Sequence, residues 1–71
     1  MNEDRLRLIK LVEHWVKHND EHRDRFSEEA DKAERIGLND VADEMRKAVE
    51  ASGFVSRSLL KVLELLKEGD R

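Results

Sequence analysis

His14, His18 and His22 stand at i, i+4 and i+8, and they are the only histidines among the 71 residues of this chain. On a helix, positions four apart lie one turn above each other, so this spacing stacks three imidazoles along one face. Neutral imidazole is a common ligand for divalent transition metals. Neighbouring histidines, with Cβ atoms about 6 Å apart, can share one ion, whereas His14 and His22 are two turns or about 11 Å apart. The candidate chelates are therefore His14/His18 and His18/His22, with Glu21 as the carboxylate at hand. A zinc site takes about four ligands, and nickel or cobalt often more. The remaining ligands must come from Glu21, from water or from a second chain. Two histidine pairs related by a two-fold axis would make a four-histidine centre. The expected cofactor is a divalent transition metal: nickel, cobalt or zinc.

Other chemistry is thinly represented. The chain has no cysteine, which excludes thiolate sites and disulfides within it. It has no glycine-rich phosphate loop and no nucleophile elbow. His18-x-x-x-His22 is similar to one helix of a hemerythrin-type site, but the further histidines and carboxylates such a site draws from other helices are missing. The expectation is a protein that is not an enzyme. The competing reading gives the histidines packing roles only: His22 as a core histidine bonded to Asn19 or Ser52, and His14 and His18 as surface residues.

The elements that must carry this run are helical. Charged residues make up 44% of the chain and aromatics 4%, and there is no proline. That composition suits long helices with charged outer faces. The net charge of −3 comes from interspersed acids and bases, and no basic block invites nucleic acid. Leu6, Leu8 and Ile9 are mixed with Arg5, Arg7 and Lys10, and no apolar run approaches the ~20 residues of a membrane span. The expected location is the cytoplasm.

Leu8, Leu11, Val12, Trp15, Phe26, Ala30 and Ala33 recur at three and four, which predicts a first helix over about residues 3–36 with a core-facing stripe. His22 and Asn19 fall inside that stripe, and Trp15 reads as a core anchor. Ile36-Gly37-Leu38-Asn39 is the break: Gly37 suits the left-handed position after a helix, and Asn39 suits the N-cap of the next. The second helix, about 40–68, carries Val41, Met45, Ala48, Val49, Ser52, Ser56, Leu59, Leu63 and Leu66 on one face. A break at Ser52-Gly53 is the alternative, and Gly69 is the expected end.

A short loop between long helices predicts an all-α, antiparallel two-helix hairpin, in which facing positions sum to about 75. One hairpin cannot cover all this apolar surface. A homodimeric four-helix bundle is therefore expected, with Trp15, Phe26, Phe54, Leu59, Leu60, Leu63, Leu65 and Leu66 at its interfaces.

The run Glu13-His14-Trp15…His18-Asn19-Asp20-Glu21-His22, with Phe26, Ala30, Ala33 and Gly37 after it, resembles a group of small helical proteins of archaea and anaerobic bacteria that share an E-H-W-x-x-H-N-x-E-H pattern. Some of that group carry labels associated with nickel transport. The resemblance covers about residues 8–50, and the second helix departs from it at Ser52-Gly53-Phe54 and Arg57. It implies His14, His18 and His22 as metal ligands. The leading expectation is a cytoplasmic, homo-oligomeric hairpin that binds a nickel-like metal through the histidine ladder. The alternative is a structural or adaptor module that docks a protein partner on its apolar helix face.

Overall fold

The computed structural model describes residues 2–68, and they form two helices, α1 (Glu3–Arg35) and α2 (Asn39–Glu68). The helices pack side by side as the expected antiparallel hairpin, a rod of 54 × 14 × 11 Å between Cα atoms. Gly69 lies outside the described residues. At Gly53 there is no break, and α2 runs through it.

Each end of α1 is closed by local chemistry. The Asn2 side chain accepts the Asp4 amide at 2.7 Å, and Glu3 and Asp4 place negative charge on the positive end of the helix. At the other end the Leu38 amide donates to the Ala33 carbonyl at 2.9 Å, and the Gly37 amide to Glu34 at 3.0 Å. This pair of bonds is a Schellman motif. It requires the left-handed backbone that Gly37 adopts, with φ at 83°. The start of α2 differs from expectation by one residue. The Leu38 carbonyl accepts the first helical bond, from the Ala42 amide at 3.0 Å, so Leu38 is the capping position and Asn39 the first helical residue.

The seam between the helices has a regular period. On α1 the inward positions are Ile9, Val12, Val16, Asn19, Arg23, Phe26, Ala30 and Ala33; on α2 they are Ala42, Met45, Val49, Ser52, Ser56, Leu59, Leu63 and Leu66. Steps of three and four alternate along both, which is the 3.5-residue repeat of a coiled coil. Val12, Ala30 and Ala42 are essentially sealed, at 1%, 0% and 0% exposure. The seam keeps Val12, Asn19, Phe26, Ala30 and Ala33 of the stripe expected on α1 and shifts by one position only in the first half of that helix. Ile9 and Val16 face inward. Leu8, Leu11 and Trp15 do not, and Trp15 keeps 44% of its surface open.

The seam's middle is polar. The Asn19 side-chain amide donates to the Ser52 carbonyl and to Ser56 Oγ, each at 2.8 Å, and Ser56 Oγ donates to Asp20 at 2.5 Å. These bonds, together with the approach of Arg23 to Gly53, fix the register near the expected sum.

Candidate functional site

The 3.5-residue period divides the hairpin's surface into two flanks. Residues just after the second seam position of each heptad share one flank, and residues just before the first seam position share the other. The first flank is ion-paired across the helices. Lys67 Nζ lies 3.8 Å from Glu13, and Arg46 lies 2.7 Å from Glu34 and 3.2 Å from Asp31. Hydrogen bonds to Asp31 and then Glu34 hold the Arg46 guanidinium above its ordinary range; desolvation opposes them, and the two carboxylate charges add to them. Leu6 and Leu60 are the exposed apolar residues on this flank.

The second flank carries the histidine run. On α1 it presents Leu8, Leu11, Trp15, His18 and His22, and on α2 Ala51, Val55, Ser58, Val62 and Leu65. None of these ten positions holds Asp, Glu, Lys or Arg, in a chain that is 44% charged. Beyond these positions the same flank is charged, at Asp4 at the tip of the open end and at Arg25, Glu29 and Glu44 toward the turn. The uncharged patch is therefore confined to the open end and the middle of the rod.

Within the patch, His18 and His22 converge. Their Nε2 atoms are 2.9 Å apart and their rings meet edge to face, with centroids 4.5 Å apart. A hydrogen bond at this distance has one Nε2–H donating to the other ring's Nε2 lone pair, which requires different protonation of the two Nε2 atoms. On the turn side the His22 ring stacks on Phe26, with centroids 6.0 Å apart. Phe26 is itself half-buried in the seam, which anchors one side of the pair. His14 stacks on His18 with centroids 5.8 Å apart and an interplanar angle of 26°.

Ligand geometry gives the His18/His22 contact its meaning. Two nitrogens each about 2.0–2.1 Å from an ion are about 2.9 Å apart when they subtend a right angle, and about 3.3 Å apart at the tetrahedral angle. The 2.9 Å contact is a hydrogen-bond distance, and it is also close to the separation of two cis ligands. Among the described residues, no set of three or more His, Asp or Glu side chains is gathered to hold an ion. Glu21 and His14 thus stand apart from the pair: Glu21 is exposed, and the His14 ring lies nearly parallel to its neighbour.

Several residues sit elsewhere than their types and spacing suggest. His22 is exposed rather than directed into the seam, because the seam passes through Arg23. Asn19 accordingly bonds Ser52 and Ser56, and not His22. Asp20, which reads as part of a solvated acidic face, is half-buried and holds the Ser56 hydroxyl. Glu13 pairs with Lys67 across the hairpin. Of the residues expected at bundle interfaces, Phe26, Leu59, Leu63 and Leu66 belong to the internal seam. Trp15 and Leu65 lie on the uncharged flank, and Leu60 on the ion-paired one. Phe54 points away from both, 57% exposed, with the Arg57 guanidinium 4.4 Å above its ring. Arg57 therefore stands clear of the histidines. The sequence signal for this phase is the unbroken three–four alternation through polar Asn19 and Arg23, matched by small Ser52, Gly53 and Ser56 across the seam.

Comparison with known proteins places the chain beside others whose function is also open. Residues 8–66 match DUF8180, a domain of unknown function. A protein of Archaeoglobus fulgidus described as uncharacterized is 35% identical over 60 residues, covering 84% of this chain and 95% of its own length. No solved structure matches the chain. No helix among the described residues is long and apolar enough to cross a membrane.

Proposed function

The chain belongs to the DUF8180 family, and we propose that it is a small, self-associating helical hairpin that binds a divalent transition metal of the nickel(II) or copper(II) kind through His18 and His22. The observation that carries this reading is the 2.9 Å separation of the two Nε2 atoms. A chelating pair normally has to be drawn together against rotamer entropy, and here the rotamers already span the bite. Binding requires the donor ring to lose its Nε2 proton to solvent and take one up at Nδ1, so that both rings are neutral Nδ1–H tautomers and both Nε2 lone pairs are free for the ion. The role proposed is handling or sensing a metal. The cysteine-free chain suits the reducing cytoplasm.

Calorimetric titration with Ni²⁺, Cu²⁺ and Zn²⁺ tests the reading. The native chain should bind nickel or copper more tightly than zinc. His18→Gln and His22→Gln should each weaken binding about tenfold or more, as expected when a ligand is removed. His14→Gln should bind like the native chain. Affinity no tighter than high micromolar for all three ions, or an unaffected His18→Gln variant, would end the claim.

The uncharged flank also favours a second reading, in which it docks a different protein and the histidines only pack. That reading predicts that replacing all three histidines with glutamine leaves partner capture intact.

A further inference from the structure

We infer that the uncharged flank is covered by a second copy of this chain, lying parallel with its open end beside the first, and that the partner's imidazole pair completes the metal site at the centre of the bundle. The inference rests on the chelate reading for its second half only; the docking face is argued independently.

The composition of the flank selects its occupant. Leu8, Trp15, Val62 and Leu65 are 39%, 44%, 37% and 57% exposed on the single hairpin. They lie together at the open end, whereas the turn end of the same flank is charged. Antiparallel stacking would place this apolar half against Arg25, Glu29 and Glu44. Parallel stacking about a two-fold axis along the rod places it on itself, with α1 facing the partner's α2. The flank measures about 54 × 14 Å. Full overlap therefore covers about 750 Å² per copy and about 1,500 Å² in all, the size of a standard stable interface. Such an interface is isologous, so one self-complementary patch suffices.

Position along the rod joins this face to the metal. Helix α1 spans Glu3–Arg35, with its midpoint at Asn19. The His18/His22 pair is centred one residue away, about 1.5 Å along the axis. A two-fold axis along the rod sets equivalent residues at one level, so in a parallel dimer the two pairs lie level, on diagonal helices, both on the uncharged flank that faces the partner. Four imidazoles then surround one ion, and neither chain alone has a complete site. At that level the facing helices present Val55, with small Ala51 and polar, uncharged Ser58 about one turn to either side.

The absence of cysteine makes the arrangement directly measurable. Asp40→Cys, at the exposed turn, carries one spin label per chain, and the dipolar distance between labels reports orientation. Parallel packing predicts labels within about 20–25 Å, given helix spacings of about 8–10 Å and flexible label arms. Antiparallel packing would separate them by roughly the 54 Å length of the rod and would overturn the inference. Sedimentation should give a dimer that binds one Ni²⁺ or Cu²⁺ per two chains. Trp15→Lys and Val55→Lys should shift it toward monomer and weaken metal binding about tenfold, while Phe54→Lys leaves both unchanged. A monomer that binds one ion per chain sinks the inference and spares the chelate. A parallel dimer that takes up no metal sinks the chelate and the four-imidazole centre, and upholds the docking face. Dissociation by Phe54→Lys but not by Trp15→Lys assigns the interface to the other side of the rod and overturns the inference.

Discussion

Asn19 occupies a seam position where an apolar side chain would add hydrophobic burial, and it instead holds two groups of α2 at once. With Ser56 and Asp20 it forms one connected network in which each member satisfies another. Removing one member strands its partners in a half-buried place, at a cost of about 1–3 kcal/mol. Asn19→Ala and Ser56→Ala are each expected to lower stability by that amount in urea titrations. Because they share the network, the double variant should cost clearly less than the two single losses together. Strict additivity would mean that the bonds do not act as a unit. The histidine pair makes a second prediction at this scale. Protons and metal compete for the same nitrogen lone pairs, so metal affinity should fall steeply on acidification. In His14→Gln the titration should keep the native pH profile, and a changed profile would bring His14 into the shell. The histidine spacing alone names the three candidate ligands. It does not choose between His14/His18 and His18/His22, because that choice depends on ring rotamers, which Phe26 beside His22 helps to set.

The helices and their connection are legible in the sequence because the signals are local: Gly37 followed by Leu38 is a chemical stop, and no proline interrupts either run. The phase of the seam is harder to read. Leu8, Leu11 and Trp15 form a second apolar stripe adjacent to Ile9, Val12 and Val16, and periodicity alone cannot say which stripe meets α2. The two described glycines then make opposite predictions. Gly37 sits at φ 83° with nothing within 4 Å of the place a methyl group would take, so the whole penalty of Gly37→Ala is backbone strain, about 1 kcal/mol or somewhat more. Gly37→Asn should cost less, since asparagine tolerates this conformation. Gly53 is ordinary helix. An added Cβ there would stand 3.3 Å from Arg23 Nη1, the far end of a flexible side chain that can move aside. Gly53→Ala should therefore stabilise the hairpin by up to about 1 kcal/mol through helix propensity. Thermal unfolding monitored by circular dichroism reads both signs, and a destabilised Gly53→Ala would show that the Arg23 position matters more than propensity.

At the scale of the molecule, the single hairpin is poorly covered. Its buried apolar side chains, among the described residues, are Val12, Ala30, Ala33, Ala42 and Leu63, three of them only alanine, while Trp15, Phe54, Leu60 and Leu65 remain more than two-fifths exposed. A chain of this size buries too small a share of its surface to be comfortably stable alone. The sequence points to a second copy for this reason but does not separate the outer anchors, because outward Phe54 and Leu60 look like Trp15 and Leu65 until the seam's phase is known. If folding and association are linked, stability must depend on protein concentration. A tenfold increase in concentration favours the dimer by about 1.4 kcal/mol. For a unit of two such chains that corresponds to a rise in melting temperature of about 3–6 °C. Saturating Ni²⁺ or Cu²⁺ should raise the melting temperature further in the native chain and raise that of His18→Gln clearly less. Melting temperatures that stay constant between about 5 and 500 μM would show that the hairpin folds without its partner. The uncharged flank would then have to be covered by something other than a copy of itself.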